Sequence, residues 1–148
     1  MKRRSLNDVN CSVAQTLDVV GDPWTLLIVR DALFGVTRFD EFQQRLDIPR
    51  ATLSTRLTTL VDHEVLERRP VADEARRHEY VLTEKGRALH SVVVAMLRWG
   101  DRWSNLPEPP VTLIDADRGA EIDPVFVDRV TGRPLSELRI ERRFNDGP

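Results

Sequence analysis

Residues 38–83 read RFDEFQQRLDIPRATLSTRLTTLVDHEVLERRPVADEARRHEYVLT. Phe39, Phe42 and Leu46 recur at i, i+3, i+7, the spacing of one helical face. Asp47-Ile48-Pro49 interrupts that face. Pro49 has no N–H to give an i−4 carbonyl, so it suits the first turn of a new helix rather than the inside of the old one. A second helix is expected from Arg50 to Glu64, with Leu53, Leu57, Leu60 and Val61 as its buried stripe. Val65 to Val71 reads as a strand, 72–77 as the connection and His78 to Leu82 as the return strand. Helix, turn, helix and basic hairpin in that order are the layout of a winged helix-turn-helix, a module that places its second helix in the DNA major groove.

The face of the second helix opposite its leucines carries Ala51, Thr52, Thr55, Thr58 and Thr59, flanked by Arg50 and Arg56. A solvated helix face normally favours Glu and Lys, which are better helix formers than Thr. Small hydroxyl side chains allow close approach to bases and phosphates and both donate and accept. The blander alternative is a polar surface helix that is merely Thr-rich. On the hairpin, Arg76 and Arg77 are expected near the tip, within reach of a phosphate or a narrow minor groove. Asp73 and Glu74 beside them partly cancel their charge, and an ordinary charged hairpin is the alternative. The candidate DNA contacts are therefore Arg38, Arg50, Thr52, Ser54, Thr55 and Arg56, with Arg76 and Arg77 from the wing.

The chain has 148 residues, 41% hydrophobic and 31% charged, with a formal net charge of −2. One domain with an appendage fits that length, and the composition is that of an ordinary soluble globular protein. The balance is not that of a nonspecific nucleic-acid binder, so any DNA-facing basicity is local, as in Arg38, Arg45, Arg50 and Arg56. Binding should then depend on salt and on specific contacts. The start, Met1-Lys2-Arg3-Arg4-Ser5, is basic, but no apolar run of signal length follows it. The longest apolar run, Leu26 to Val29, ends at Arg30, far short of a membrane span. A cytoplasmic location is expected.

Upstream, residues 11–20 are expected as a short helix ended by Gly21. Asp22 is a plausible N-cap with Pro23 at the first helical position. Residues 24–34 are apolar around most of their circumference and should form the central core helix, with Trp24 as an anchor. Downstream, Thr83 should cap a long helix from Glu84 to about Ser104. Its Leu89, Val92, Val93, Met96, Leu97 and Trp99 exceed what one small domain buries internally, which suggests burial against a second copy. Twofold symmetry also suits a reader of two half-sites roughly 34 Å apart. Coverage by the chain's own tail is the alternative. Leu106-Pro107-Glu108-Pro109-Pro110 is a stiff linker. Beyond it, Val111 to Ile114, Pro124 to Asp128 and Leu138 to Arg142 are expected as three strands of a small β-meander. The fold class is thus mainly α with small β (α+β). A winged helix-turn-helix with a C-terminal dimerisation helix spans 1–104, a linker 105–110 and the meander 111–148.

These residues carry a resemblance. Cys11, Gly21 to Ile28, Gly35 with Arg38-Phe39, Leu53 to Leu57, and Glu79 to Gly86 resemble, in order and spacing, the signature blocks of HxlR-type transcriptional regulators, a branch of the MarR-like winged-helix proteins. The resemblance covers residues 11–103 and implies a dimeric DNA-binding regulator. It departs in the wing, where the family usually has a proline-containing turn before the Glu-Tyr pair and this chain has Glu74-Ala75-Arg76-Arg77-His78. Several such regulators sense electrophiles or oxidants through a cysteine at the position of Cys11. The resemblance therefore makes Cys11, the one cysteine, a candidate sensor near a helix N-terminus. A small buried hydrophobe is the alternative reading of that residue. Some relatives carry a zinc-ribbon-like tail, and Asp128-Arg129-Val130-Thr131-Gly132 is similar to one of its knuckles with both cysteines replaced. That similarity implies a metal lost and a fold kept, since the tail has no Cys or His.

His63, His78 and His90 share no metal-ligand spacing, and no nucleophile elbow, phosphate loop or dinucleotide fingerprint is present. No metal, no cofactor and no enzymatic activity are expected. The reading is a homodimeric, sequence-specific repressor on a palindromic double-stranded operator, controlled by a small molecule or by modification of Cys11. Trp24, Met96 and Trp99 are the candidate effector pocket at a dimer interface. The rival from another class is a winged-helix protein-interaction module that does not bind DNA, for which the net negative charge argues mildly.

Overall fold

Caps and breakers set the order of the elements. Residues 5–6, 8–72 and 74–145 are described by the computed structural model. The chain divides into two units, Met1–Arg102 and Trp103–Pro148, each taken by itself below. In the first, α1 (Ser12–Val20) begins after Cys11 and ends at Gly21. Only Gly21 and Asp22 separate it from α2 (Pro23–Leu33). Asp22 caps α2 as expected: its carboxylate accepts the Trp24 N–H at 3.0 Å, with Pro23 in the first turn. α2 is the central helix, burying Ile28, Val29, Thr25 and Asp31, and Trp24 packs against the core from its edge.

α3 (Phe39–Leu46) and α4 (Arg50–Asp62) form the helix-turn-helix. Asp47 in the turn takes a left-handed conformation (φ 48°), and Ile48 is buried there. The turn is thus held by one backbone bend and one apolar anchor. Pro49 is the N-cap of α4, one position earlier than expected. Phe42 from α3 and Leu53, Leu57 and Leu60 from α4 are fully buried with Ile28 and Val29. Burying a side chain of this size contributes on the order of 2 kcal/mol.

The wing is the antiparallel pair β1 (Leu66–Val71) and β2 (Glu74–Leu82), in register from Leu66↔Leu82 to Pro70↔His78 and then Val71↔Glu74. Here the expectation needs correcting. The connection is shorter than 72–77, and Arg76 and Arg77 belong to β2, not to the loop. Pro70 offers no N–H to the ladder, and the register slips just after it. Residues 75–77 consequently bulge between Glu74 and His78. On its other edge β2 is joined by an Arg38↔Glu79 bridge and by the Tyr80 N–H, which donates to the Thr37 carbonyl at 2.7 Å.

The long helix expected from Glu84 is two pieces, α5 (Glu84–Arg87) and α6 (His90–Trp103). The Thr83 hydroxyl accepts the Gly86 N–H at 3.0 Å and donates to the Glu64 carbonyl at 2.6 Å. Gly86 lies against the Val65 carbonyl, where a Cβ would collide. This seat fixes α5 to the end of α4 and the start of the wing. The Leu89 N–H turns back to the Gly86 carbonyl (3.1 Å), closing the first piece with a tighter turn before α6 departs. Leu89 and Val93 pack on the core, whereas Val92, Met96 and Trp99 are exposed.

In the second unit no described residue is buried. The expected meander contracts. β3 (Ile114–Asp115) pairs antiparallel with β4 (Ala120–Glu121), and Val127 bridges Pro134 ahead of a short 3-10 turn, Leu135–Glu137. Leu138 to Arg142 forms no strand. Alternation produces a strand when one face is buried, and here there is no such face. Turns hold the unit instead. The Asp128 carboxylate accepts the N–H groups of Val130 (3.3 Å) and Thr131 (3.1 Å) and the Thr131 hydroxyl (2.6 Å). These bonds lower its pKa, the hydroxyl first.

Candidate nucleic-acid interface

α4 turns Leu53, Leu57 and Leu60 inward, which leaves Arg50, Ala51, Ser54, Thr55 and Thr58 exposed along the opposite face. Thr52 and Thr59 are half-buried at its margins. The Thr55 hydroxyl donates to the Ala51 carbonyl and the Thr59 hydroxyl to the Thr55 carbonyl, both at 3.0 Å. Their protons are thereby used within the helix, and the Thr55 oxygen faces outward as an acceptor beside its methyl group. Beyond Arg50, the residues Ala51, Ser54, Thr55 and Thr58 present only small, uncharged side chains.

Exposed arginines occur at the start of α4, at the N-cap of α3 and on the wing. Arg50 opens α4 with its guanidinium 4.7 Å from the centre of the Phe39 ring and 3.9 Å from Asp40; its side chain is 72% exposed. Arg38 stands exposed at the N-cap of α3, next to β2. In the wing bulge Arg76 is exposed and pairs with no acid among the described residues, whereas Arg77 is held at 2.8 Å by Glu74. Arg68 on β1 is also exposed, 3.4 Å from His78 Nδ1, and was not among the sequence candidates. The strand alternation that separates Arg68 from Glu67 and Arg69 was the available signal. Arg69 pairs with Glu67 at 2.8 Å and holds it below the ordinary carboxylate range, first by hydrogen bonding and then by charge.

Arg56, on the flank of this face, turns toward Asp22. Its side chain is 33% exposed and its Nη2 sits 2.9 Å from Asp22 Oδ2, while Nε is buried without a hydrogen-bond partner. The helical spacing puts Arg56 on the flank of the exposed face, but the carboxylate at the start of α2 draws it inward. Arg45 likewise leans toward the buried Asp31, at 3.6 Å.

Trp24 packs on the core, while Met96 (53%) and Trp99 (68%) are exposed on α6. A cleft of about 400 Å³ lies elsewhere, between α1, the end of α4 and α5, with Val19, Val20, Val65 and Leu89 as its apolar lining. Cys11 is exposed rather than buried. Among the described residues no helix is long and apolar enough to cross a membrane.

The sequence model of the HxlR-like helix-turn-helix family matches residues 19–108. The chain is 46% identical over 130 residues to the uncharacterized HTH-type transcriptional regulator Rv3095 of Mycobacterium tuberculosis, covering 87% of this chain and 82% of that one. Among solved structures, PA1607, reported as a candidate transcription factor, superposes with a TM-score of 0.83 at 40% identity, covering 95% of this chain and 100% of its own. The oxidized form of the redox regulator HypR matches at TM-score 0.60 and 31% identity over 65% of this chain and 100% of its own.

Proposed function

The chain belongs to the HxlR-like helix-turn-helix family of transcriptional regulators, and from that premise we propose that it is a homodimeric, sequence-specific DNA-binding repressor acting in the cytoplasm. The observation that carries this reading is the exposed face of small side chains on α4, together with the exposed Arg50 on α4, Arg38 at the start of α3 and Arg68 and Arg76 on the wing. Such a face admits base edges to Ser54, Thr55 and Thr58, while the exposed arginines meet phosphates. Arg77 is a weaker contact because Glu74 already pairs with it, and Thr52 contributes from the margin. Residues 1–104 serve DNA binding and dimerisation, 105–110 link, and 111–148 form the appendage.

Dimerisation is supported by the apolar Val92, Met96 and Trp99 on α6 and Val13 and Leu17 on α1, all exposed in the single chain. A twofold dimer matches a palindromic operator. Control by modification of Cys11 is supported by its exposure and by the likeness to the redox regulator HypR. Small-molecule control would act at the surface bearing Met96 and Trp99, with Trp24 remaining a core residue.

Fluorescence anisotropy on the duplex upstream of the chain's own gene, at two salt concentrations with random DNA as competitor, tests the reading. Tight, salt-dependent binding that survives the competitor supports it, and binding no better than to random DNA refutes it.

A further inference from the structure

We propose that the Asp22–Arg56 ion pair is a positioning joint, through which the placement of α1 sets the placement of the reading helix α4. The inference rests on the DNA-binding reading above and adds the means by which the reading face is aimed. One residue links three elements, α1 through the backbone and α2 and α4 through its carboxylate. Asp22 follows α1 after Gly21, whose N–H donates to the Leu17 carbonyl at 2.9 Å and closes that helix. Asp22 Oδ1 caps α2 through the Trp24 N–H, and Oδ2 holds Arg56 in the body of α4 at 2.9 Å.

Both partners are sheltered, with side chains 23% and 33% exposed, and Arg56 Nε is buried without a partner. The guanidinium therefore depends on Asp22 for its orientation. A partly buried charge that loses its partner costs more than a surface pair that opens, because water does not fully replace the lost contact. Val20, the last residue of α1, is 3% exposed and packed, so α1 cannot swivel freely about Gly21. A displacement of α1 carries Asp22 with it, and Arg56 either follows or is left unpaired. In both cases the Ser54–Thr58 face turns relative to α3 and the wing. The outer side of α1 bears Val13, Leu17 and, at its start, Cys11, all exposed. Contacts or chemistry on that side thus have a short physical route to the DNA-facing helix.

A direct phosphate contact by Arg56 and a positioning role predict opposite signs. Asp22→Asn keeps an acceptor for the Trp24 N–H and so keeps the cap, but removes the ionic partner. Removing an acid near DNA, or freeing Arg56 to reach phosphate, would tighten binding. The joint predicts weaker binding, by about three- to tenfold.

The test uses the full chain, its Asp22→Asn, Arg56→Ala and Arg56→Lys variants and the Asp22→Asn/Arg56→Ala double variant, checked for folding by circular dichroism and titrated onto the upstream duplex across a salt series. Expected are weakened binding for Asp22→Asn and Arg56→Ala, an unchanged salt slope, a double variant no worse than either single one, and partial rescue by Arg56→Lys. Unchanged or tighter binding by Asp22→Asn overturns the joint, as does a salt slope reduced by about one for Arg56→Ala. If Arg56→Ala fails to fold, Asp22→Asn carries the test alone. If the parent chain binds no DNA, the functional reading fails, and the joint is judged separately by spin labels on Cys11 and Ser54→Cys, diluted into unlabelled chain. A shifted or broadened α1–α4 distance in Asp22→Asn supports it, and an unchanged distribution overturns it.

Discussion

Replacing Gly86 by alanine separates tertiary fit from helix propensity, because the two predict opposite signs. In a helix interior Gly→Ala ordinarily stabilises by about 1 kcal/mol. At Gly86 the added Cβ would collide with the Val65 carbonyl and lie 2.8 Å from Leu82 Cδ2. Leucine can rotate, but the carbonyl is backbone of a residue only 2% exposed. That carbonyl also accepts the Thr83 N–H and hydroxyl, each at 3.2 Å. Overpacking costs about 1–3 kcal/mol, and loosening two hydrogen bonds adds about 1 kcal/mol each. Against the propensity gain, the net loss is about 2–4 kcal/mol. For a unit of this size 1 kcal/mol corresponds to about 4–8 °C, so Gly86→Ala should lower Tm by roughly 8–32 °C. Differential scanning calorimetry of both proteins at equal concentration measures it. An unchanged or raised Tm would refute the seating of α5 against Val65.

Other outcomes follow from the same geometry. If the proposed dimer forms through α6, Trp99→Asp should leave only monomer in sedimentation and weaken binding to the proposed operator on the order of 100-fold, since two linked reading heads become one. Thr83→Val removes the α5 cap and the bond to Glu64; urea unfolding should show a loss of about 2 kcal/mol with an unchanged m-value. Arg68→Ala should reduce the slope of log affinity against log salt by about one while leaving sequence preference intact. Because Asp128 is held below its ordinary pKa, its turn is stabilised above the ordinary carboxylate range and loses that stabilisation as the pH falls through the lowered value. Amide exchange at Val130 and Thr131, corrected for intrinsic rate, should therefore quicken in acid and stay level near neutrality.

The helix-turn-helix was legible because its signals are local. The leucine spacing of α4, the Asp47-Ile48-Pro49 break and the Asp22-Pro23 cap each act within one turn of chain. The surplus of apolar residues on α6 was equally readable, and Val92, Met96 and Trp99 are indeed exposed. What escaped depends on partners distant in sequence. The break after α5 comes from the approach of Gly86 to Val65, the wing's slip from the pairing of Pro70 with His78, and the inward turn of Arg56 from a carboxylate on another helix. Residues 138–142 alternate convincingly, yet a strand needs a face to bury, and composition alone cannot report that none is there.

The wing has one further consequence. Among the described residues β1 pairs with β2 alone, so its outer edge is an unfilled row of backbone donors and acceptors. Open edges of this kind invite a strand from another molecule and, through it, aggregation. β1 carries Glu67, Arg68, Arg69 and then Pro70. Any strand docking there would have to bury three charges and meet a position with no N–H to offer. The same residues proposed to lie beside a polyanion also guard this edge against seeding a fibril, so neutralising them to improve packing would trade solubility for order.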